Sequence, residues 1–217
     1  LIRIFVDFEA TDKNPYAAEI LTGFFEKESG ESYEFNCRVD KWSDEAAKIH
    51  GITEFEANFF DTKEDAFGKL LNWLPDEFEL ICYANPRTQL GYMLYDVALL
   101  QLNLMDYLNI NKIEHLPVKI KGFSVHSVVK EAHKNGLFDI ITNGEAYELC
   151  LLTDKKYIGT NRVSYRQTIV YYSLFGEYYD SHKAKDDVVA MIRIYKAVNE
   201  LLDTGISIKQ KNQLELF

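Results

Sequence analysis

The sequence has no apolar run approaching the roughly 18–20 residues that span a bilayer, and its first residues carry no basic-then-apolar leader pattern. Those absences give the expectation of a soluble intracellular protein, cytoplasmic and with no membrane partner. Cysteine is scarce. Cys37, Cys82 and Cys150 lie far apart, each in an apolar stretch, which excludes a zinc-type pattern and a disulfide framework and leaves reduced core thiols. Internal repeats, low-complexity tracts and interdomain linkers are also lacking. Positive charge is in short supply: 24 Lys and Arg stand against 34 Asp and Glu, a formal net charge of −10, which argues against a broad electrostatic surface for nucleic acid. It leaves room for a small site where metal ions, rather than Lys and Arg, meet phosphates. Such a contact would be short, near a strand end, and metal-dependent.

What is present is an ordinary globular balance, 47% hydrophobic and 27% charged over 217 residues, enough for one domain that buries its core without staples. Residues 2–8 read as a buried strand, and residues 18–27 and 32–39 continue as strands. Ser43 to Ile49 reads as a short helix with Ser43 as its N-cap, His50 to Thr53 as a loop, and Thr62 to Leu74 as an amphipathic helix closed by Pro75. Glu79 to Tyr83 is a fourth strand, and from about Thr88 to Leu108 apolar residues recur at helical spacing. A helical pattern over Phe123 to Lys134 begins near a fifth strand. Residues 135–162 read as loops and short elements, and Ser164 to Phe175 and Asp186 to Leu202 as helices. Strands first, then alternating helices and strands, predict an α/β fold: a mixed five-stranded sheet with helices on both faces.

Two acidic motifs carry the chemistry. In Ile4-Phe5-Val6-Asp7-Phe8-Glu9-Ala10-Thr11, the carboxylates of Asp7 and Glu9 stand two apart on a strand and so share one face. Holding like charges that close is unfavourable unless a cation sits between them. Near the other end, His182-Lys183-Ala184-Lys185-Asp186-Asp187 adds a His and, five residues on, a carboxylate, on what reads as the first turns of a helix. Three carboxylates and a His make a site for hard divalent cations with a base alongside.

Together these motifs resemble the DEDDh 3′–5′ exonucleases, and within them the proofreading epsilon subunit of bacterial DNA polymerase III. The resemblance covers about residues 2–203. Asp7-Phe8-Glu9-Ala10-Thr11 is similar to the family's first motif, His50-Gly51-Ile52-Thr53 to its His-Gly-Ile loop, and His182, Ala184 and Asp187 to its third motif. It implies a ribonuclease H-like domain over residues 1–205 and two-metal phosphodiester hydrolysis with Mg2+ or Mn2+ on single-stranded DNA 3′ ends. Asp7 would bridge the ions, Glu9 and Asp187 would hold the first, and His182 would take a proton from the attacking water. Phe8, Ala10, Thr11, His50 and Asn85 are the expected substrate-binding residues. The second motif departs from the family pattern. A gapless reading of Ala84-Asn85-Pro86-Arg87-Thr88-Gln89-Leu90 puts Gln89 where an Asp is expected, an uncharged and poorer cation ligand. Asp96, in Tyr95-Asp96-Val97-Ala98-Leu99-Leu100-Gln101, is the alternative and requires a loop longer by seven residues. With Gln89 in that place the second ion is weakened, and the alternative function is a degenerate homologue that binds without cutting; an exoribonuclease of the same fold is the third reading.

The tail, residues 206–217, holds a separate motif. Gln213-Leu214-Glu215-Leu216-Phe217 resembles the peptide by which bacterial replication proteins bind the sliding clamp, which makes Gln213, Leu214, Leu216 and Phe217 the expected clamp contacts. A polar tether presenting a Leu-Phe anchor suits an apolar pocket, with the Gln amide fixing orientation. A sliding-clamp partner, with or without a polymerase beside it, would place the chain in DNA replication or repair.

Overall fold

β1 (Ile2–Ala10) is the central strand because its apolar residues serve two faces: Ile4, Phe5 and Val6 are each at most 1% exposed in this computed structural model. Residues 1–84, 93–113 and 115–210 are described. β2 (Ile20–Lys27), β3 (Ser32–Asn36), β4 (Glu77–Cys82) and β5 (Lys119–Ser124) complete a sheet of order β3-β2-β1-β4-β5. The β1–β2 and β2–β3 pairs are antiparallel, and β1–β4 and β4–β5 are parallel, so the sheet is mixed, as the sequence pattern predicts. β1 pairs with β4 only over Ile2 to Phe5, so Asp7 and Glu9 lie past the end of that pairing, while β2 supports them through Phe24 and Thr22. In open α/β sheets that carboxyl edge is where ligands bind.

Ser43 caps α1 (Asp44–His50) by accepting from the Ala46 N–H at 3.2 Å, and the helix ends at Gly51 in the left-handed region (φ 76°). The predicted loop, His50 to Thr53, leads into α2 (Glu54–Ala57), which is started by a Thr53–Glu56 capping box. α3 (Lys63–Trp73) is N-capped by Thr62, and α4 (Tyr95–Ile110) begins later than the helical spacing suggests, with residues 88–92 of that expectation outside the described residues. Both pack on the sheet: Phe67, Leu70, Leu99, Leu100 and Leu104 share a core with Ile4, Val6, Phe25 and Leu80. Burying side chains of this size stabilises by roughly 1.5–3 kcal/mol each before chain entropy is counted.

The described chain divides into two compact units: Leu1–Ser124 with Asp180–Val188, and Val125–Tyr179 with the chain from Val189. The second unit contains α5 (Val125–Lys134), α6 (Asn143–Glu148), α7 (Gln167–Phe175) and most of α8 (Ala184–Thr204). α6 is one of the short elements expected within residues 135–162, and a Thr142–Glu145 capping box starts it. Among the described residues no helix is long and apolar enough to cross a membrane.

Candidate active site

Alternation along β1 aims Asp7 and Glu9 to one side, and the first turn of α8 brings Asp187 to them. One ligand oxygen from each of the three carboxylates lies within 4.8 Å of the others. Asp187 is held from behind: the His182 N–H donates to its Oδ2 at 2.8 Å, and its position in the first helical turn favours negative charge. His182 itself lies before the helix, exposed and in the left-handed region (φ 69°), rather than on the helical turn expected from the sequence. A non-glycine residue held there by its surroundings is strained in the manner common at functional sites.

The electrostatics follow from that convergence. Burial and then the charges of Asp187, Asp96 and Glu9 hold the Asp7 carboxyl well above the usual carboxylate range. Burial and then Asp187 push Glu9 up to about 7. Among the described residues no Lys or Arg forms an ion pair with either. The donor set therefore fits a divalent cation: hard carboxylate oxygens converge, and their repulsion is what a bound cation would relieve.

Asp96 is the fourth carboxylate near this group. It is the second residue of α4, 8% exposed, close enough to raise Asp7 and to hold the buried Cys82 thiol up, behind burial itself. The competing Gln89 lies outside the described residues, as does Asn85. The expected clamp contacts Gln213, Leu214, Leu216 and Phe217 lie outside them too.

Phe8, Ala10, Thr11 and His50 come together around a pocket of about 330 Å3 beside Glu9. The Thr11 hydroxyl accepts from the Glu19 N–H at 3.0 Å, so it closes the loop after β1 as well as lining the pocket. His50 Nδ1 accepts from the Ile52 N–H at 3.1 Å, which leaves the proton on Nε2; burial lowers the imidazole's pKa, so this ring is neutral at pH 7. Sequence reasoning missed Tyr95, whose hydroxyl donates to the Asp12 carbonyl at 2.6 Å across one wall of this pocket. Its position directly before Asp96 was the available signal. A second cleft, of about 310 Å3, shares Glu9 and His50 and adds His182 and Lys185.

No family model and no curated protein matches the sequence. Solved structures do match by shape. The zinc-bound E. coli exonuclease I complex with single-stranded DNA superposes with a TM-score of 0.67 at 15% identity, covering 92% of this chain and 40% of that one. E. coli exonuclease I with a dT13 oligonucleotide gives 0.68 at 15% identity, covering 94% and 43%. A moderately thermophilic exonuclease I from Methylocaldum szegediense gives 0.67 at 14%, covering 92% and 40%. The chain thus spans about two fifths of the length of these proteins, and what it has in common with them is the ribonuclease H-like α/β fold.

Proposed function

We propose that the chain is a metal-dependent 3′–5′ exonuclease of the DEDDh kind that hydrolyses single-stranded DNA ends. The observation that carries this is the convergence of Asp7, Glu9 and Asp187 at the carboxyl edge of the parallel strands, with both strand carboxyls lifted by burial and mutual repulsion. Asp7, Glu9 and Asp187 would hold one divalent cation, and Asp7 with Asp96 a second. Mg2+ or Mn2+ bound there supplies charge to the phosphate oxygens and makes water easier to deprotonate. His182 is exposed on the cleft that contains Glu9 and accepts the proton of the attacking water at its imidazole. The backbone N–H of His182 meanwhile orients Asp187, so base and ligand are set by one turn of chain. Phe8, Ala10, Thr11 and His50 enclose the terminal nucleotide, with the neutral His50 offering its Nε2 proton as a donor.

Asp96, rather than Gln89, is the fourth carboxylate in this reading. Its effect on Asp7 supports a cutting enzyme over a degenerate binder. The likeness of fold to exonuclease I structures solved with single-stranded DNA supports the same substrate class. The tail peptide, Gln213 to Phe217, is proposed to dock the protein on a bacterial-type sliding clamp, which would place it in replication or repair alongside a polymerase.

The test is a 5′-labelled single-stranded oligonucleotide incubated with Mg2+ or Mn2+ beside an Asp7→Asn control, with DNA and RNA in parallel arms. Stepwise shortening of DNA by the wild type alone is the expected result; preferential shortening of RNA would transfer the reading to an exoribonuclease. Absence of shortening in either metal by a folded protein would contradict it. For the tail, removal of residues 213–217 should end clamp binding and leave hydrolysis of free oligonucleotide unchanged.

A further inference from the structure

A folded chain seldom leaves two phenylalanines together on its surface, yet Phe55 and Phe59 are 72% and 75% exposed. Their rings stand edge to face with centroids 5.1 Å apart. They are presented by α2, whose capping box fixes its start, and by the turn after it, where Phe59 and Phe60 donate to Glu56 and Ala57 carbonyls. The same short segment delivers Ile52 and Phe60 to the wall of the 310 Å3 cleft that shares Glu9 and His50 with the first pocket. Phe59 directly precedes Phe60, so the segment that lines the cleft through Ile52 and Phe60 also carries the exposed pair. Lys183 and Lys185 line it as well. Their ion pairs, with Asp180 and with Glu34 at 3.5 Å, are solvent-exposed and exchange readily for other anions.

Two spaces therefore share Glu9 and His50: a pocket of a size for one nucleotide, and a cleft lined by Lys183, Lys185 and the segment that carries the aromatic pair. We propose that the cleft and the Phe55–Phe59 pair are the track for the body of a single-stranded nucleic acid. Bases stack on the exposed rings, backbone phosphates meet Lys183 and Lys185, and the terminal nucleotide occupies the pocket beyond Glu9. The proposal rests on the nuclease reading of the carboxylate site and adds to it a preference for long strands. It also fits the overall charge: a chain of net charge −10 gains strand affinity from aromatic faces and a pair of lysines rather than from a basic surface.

The experiment compares the wild type with Phe55→Ser/Phe59→Ser and, separately, Lys185→Gln. Binding of a fluorescent single-stranded oligonucleotide is read by anisotropy on an Asp7→Asn background, which keeps the strand intact. KM is read on the same oligonucleotide, and on a nitrophenyl ester of a nucleoside monophosphate that reaches the pocket alone. Both Phe positions are exposed, so circular dichroism and thermal midpoint should match the parent. The double variant should weaken oligonucleotide binding and raise its KM by roughly ten-fold or more, with the loss confined to the long strand. Lys185→Gln should weaken binding less and flatten its salt dependence. Unchanged strand affinity in the double variant would overturn the proposal and assign the rings to a protein partner or a second copy; equal losses on strand and ester would overturn it too. If the wild type binds the strand through these rings but cleaves nothing, the track stands and the nuclease reading falls.

Discussion

Asp7 and Glu9 were legible in the sequence because a strand's alternation is simple: two carboxylates two apart on an apolar segment must share a face. His182 was legible as a residue and not as a conformation, since nothing in His-Lys-Ala-Lys-Asp-Asp announces a left-handed backbone before the helix. Replacing it with Ala retains the backbone N–H that orients Asp187, so metal binding should persist while kcat falls by about 10²–10⁴-fold, as measured by metal titration beside hydrolysis rates. The thiols make a second residue-scale test. Burial pushes Cys37 up to about 12 and Cys82 well above the thiol range, whereas Cys150 is exposed. At pH 8 a thiol reagent should label Cys150 quickly and the other two only after unfolding, read by mass spectrometry.

At the scale of elements, the sequence pattern gave the strands and the larger helices through periodicity, and the Ser43 cap through its side-chain chemistry. It is least specific where that chemistry is brief. Thr53-Glu54-Phe55-Glu56 and Thr142-Asn143-Gly144-Glu145 both carry capping boxes, but each starts a helix too short to show an apolar stripe. The second motif is harder to read for a different reason. A gapless reading favours Gln89, which lies outside the described residues, while proximity in space depends on the length of the loop after β4, and Asp96 on α4 is close enough to Asp7 to raise its pKa. The β1–β2 pair offers a test of how the strand supports the site. Phe8 faces Gly23, where an added Cβ would lie 2.7 Å from the ring. Gly23→Ala must displace Phe8, whose neighbours in the chain are Asp7 and Glu9. It should cost about 1–3 kcal/mol in denaturant unfolding and lower activity by more than that loss of folded protein explains.

For the whole molecule, the fold gathers Asp7, Glu9 and Asp187 in one spot of the unit whose apolar core is built where α3 and α4 pack on the sheet. The folded state binds protons at Asp7 and Glu9 more tightly than the unfolded chain does. Their contribution therefore favours folding below the ordinary carboxylate range, near pH 4, and is lost as pH rises, through about 7 for Glu9 and through the raised value of Asp7. Metal-free protein should accordingly lose stability across that window from these two groups, and Mn2+ should restore it on the alkaline side, where the carboxylates are free to bind.

Thermal unfolding near pH 8, with Mn2+ or with a chelator, in the wild type and in Asp7→Asn, tests the central claim most directly. The claim predicts that Mn2+ raises the wild-type midpoint by several degrees, roughly 2–4 °C per kcal/mol of binding for a chain of this size. It further predicts that Asp7→Asn melts higher than the wild type in chelator, having lost a repelled buried charge, and gains little from Mn2+. A wild-type midpoint indifferent to Mn2+, or an Asp7→Asn protein that gains as much as the wild type, would contradict the assignment of this carboxylate cluster as a metal centre.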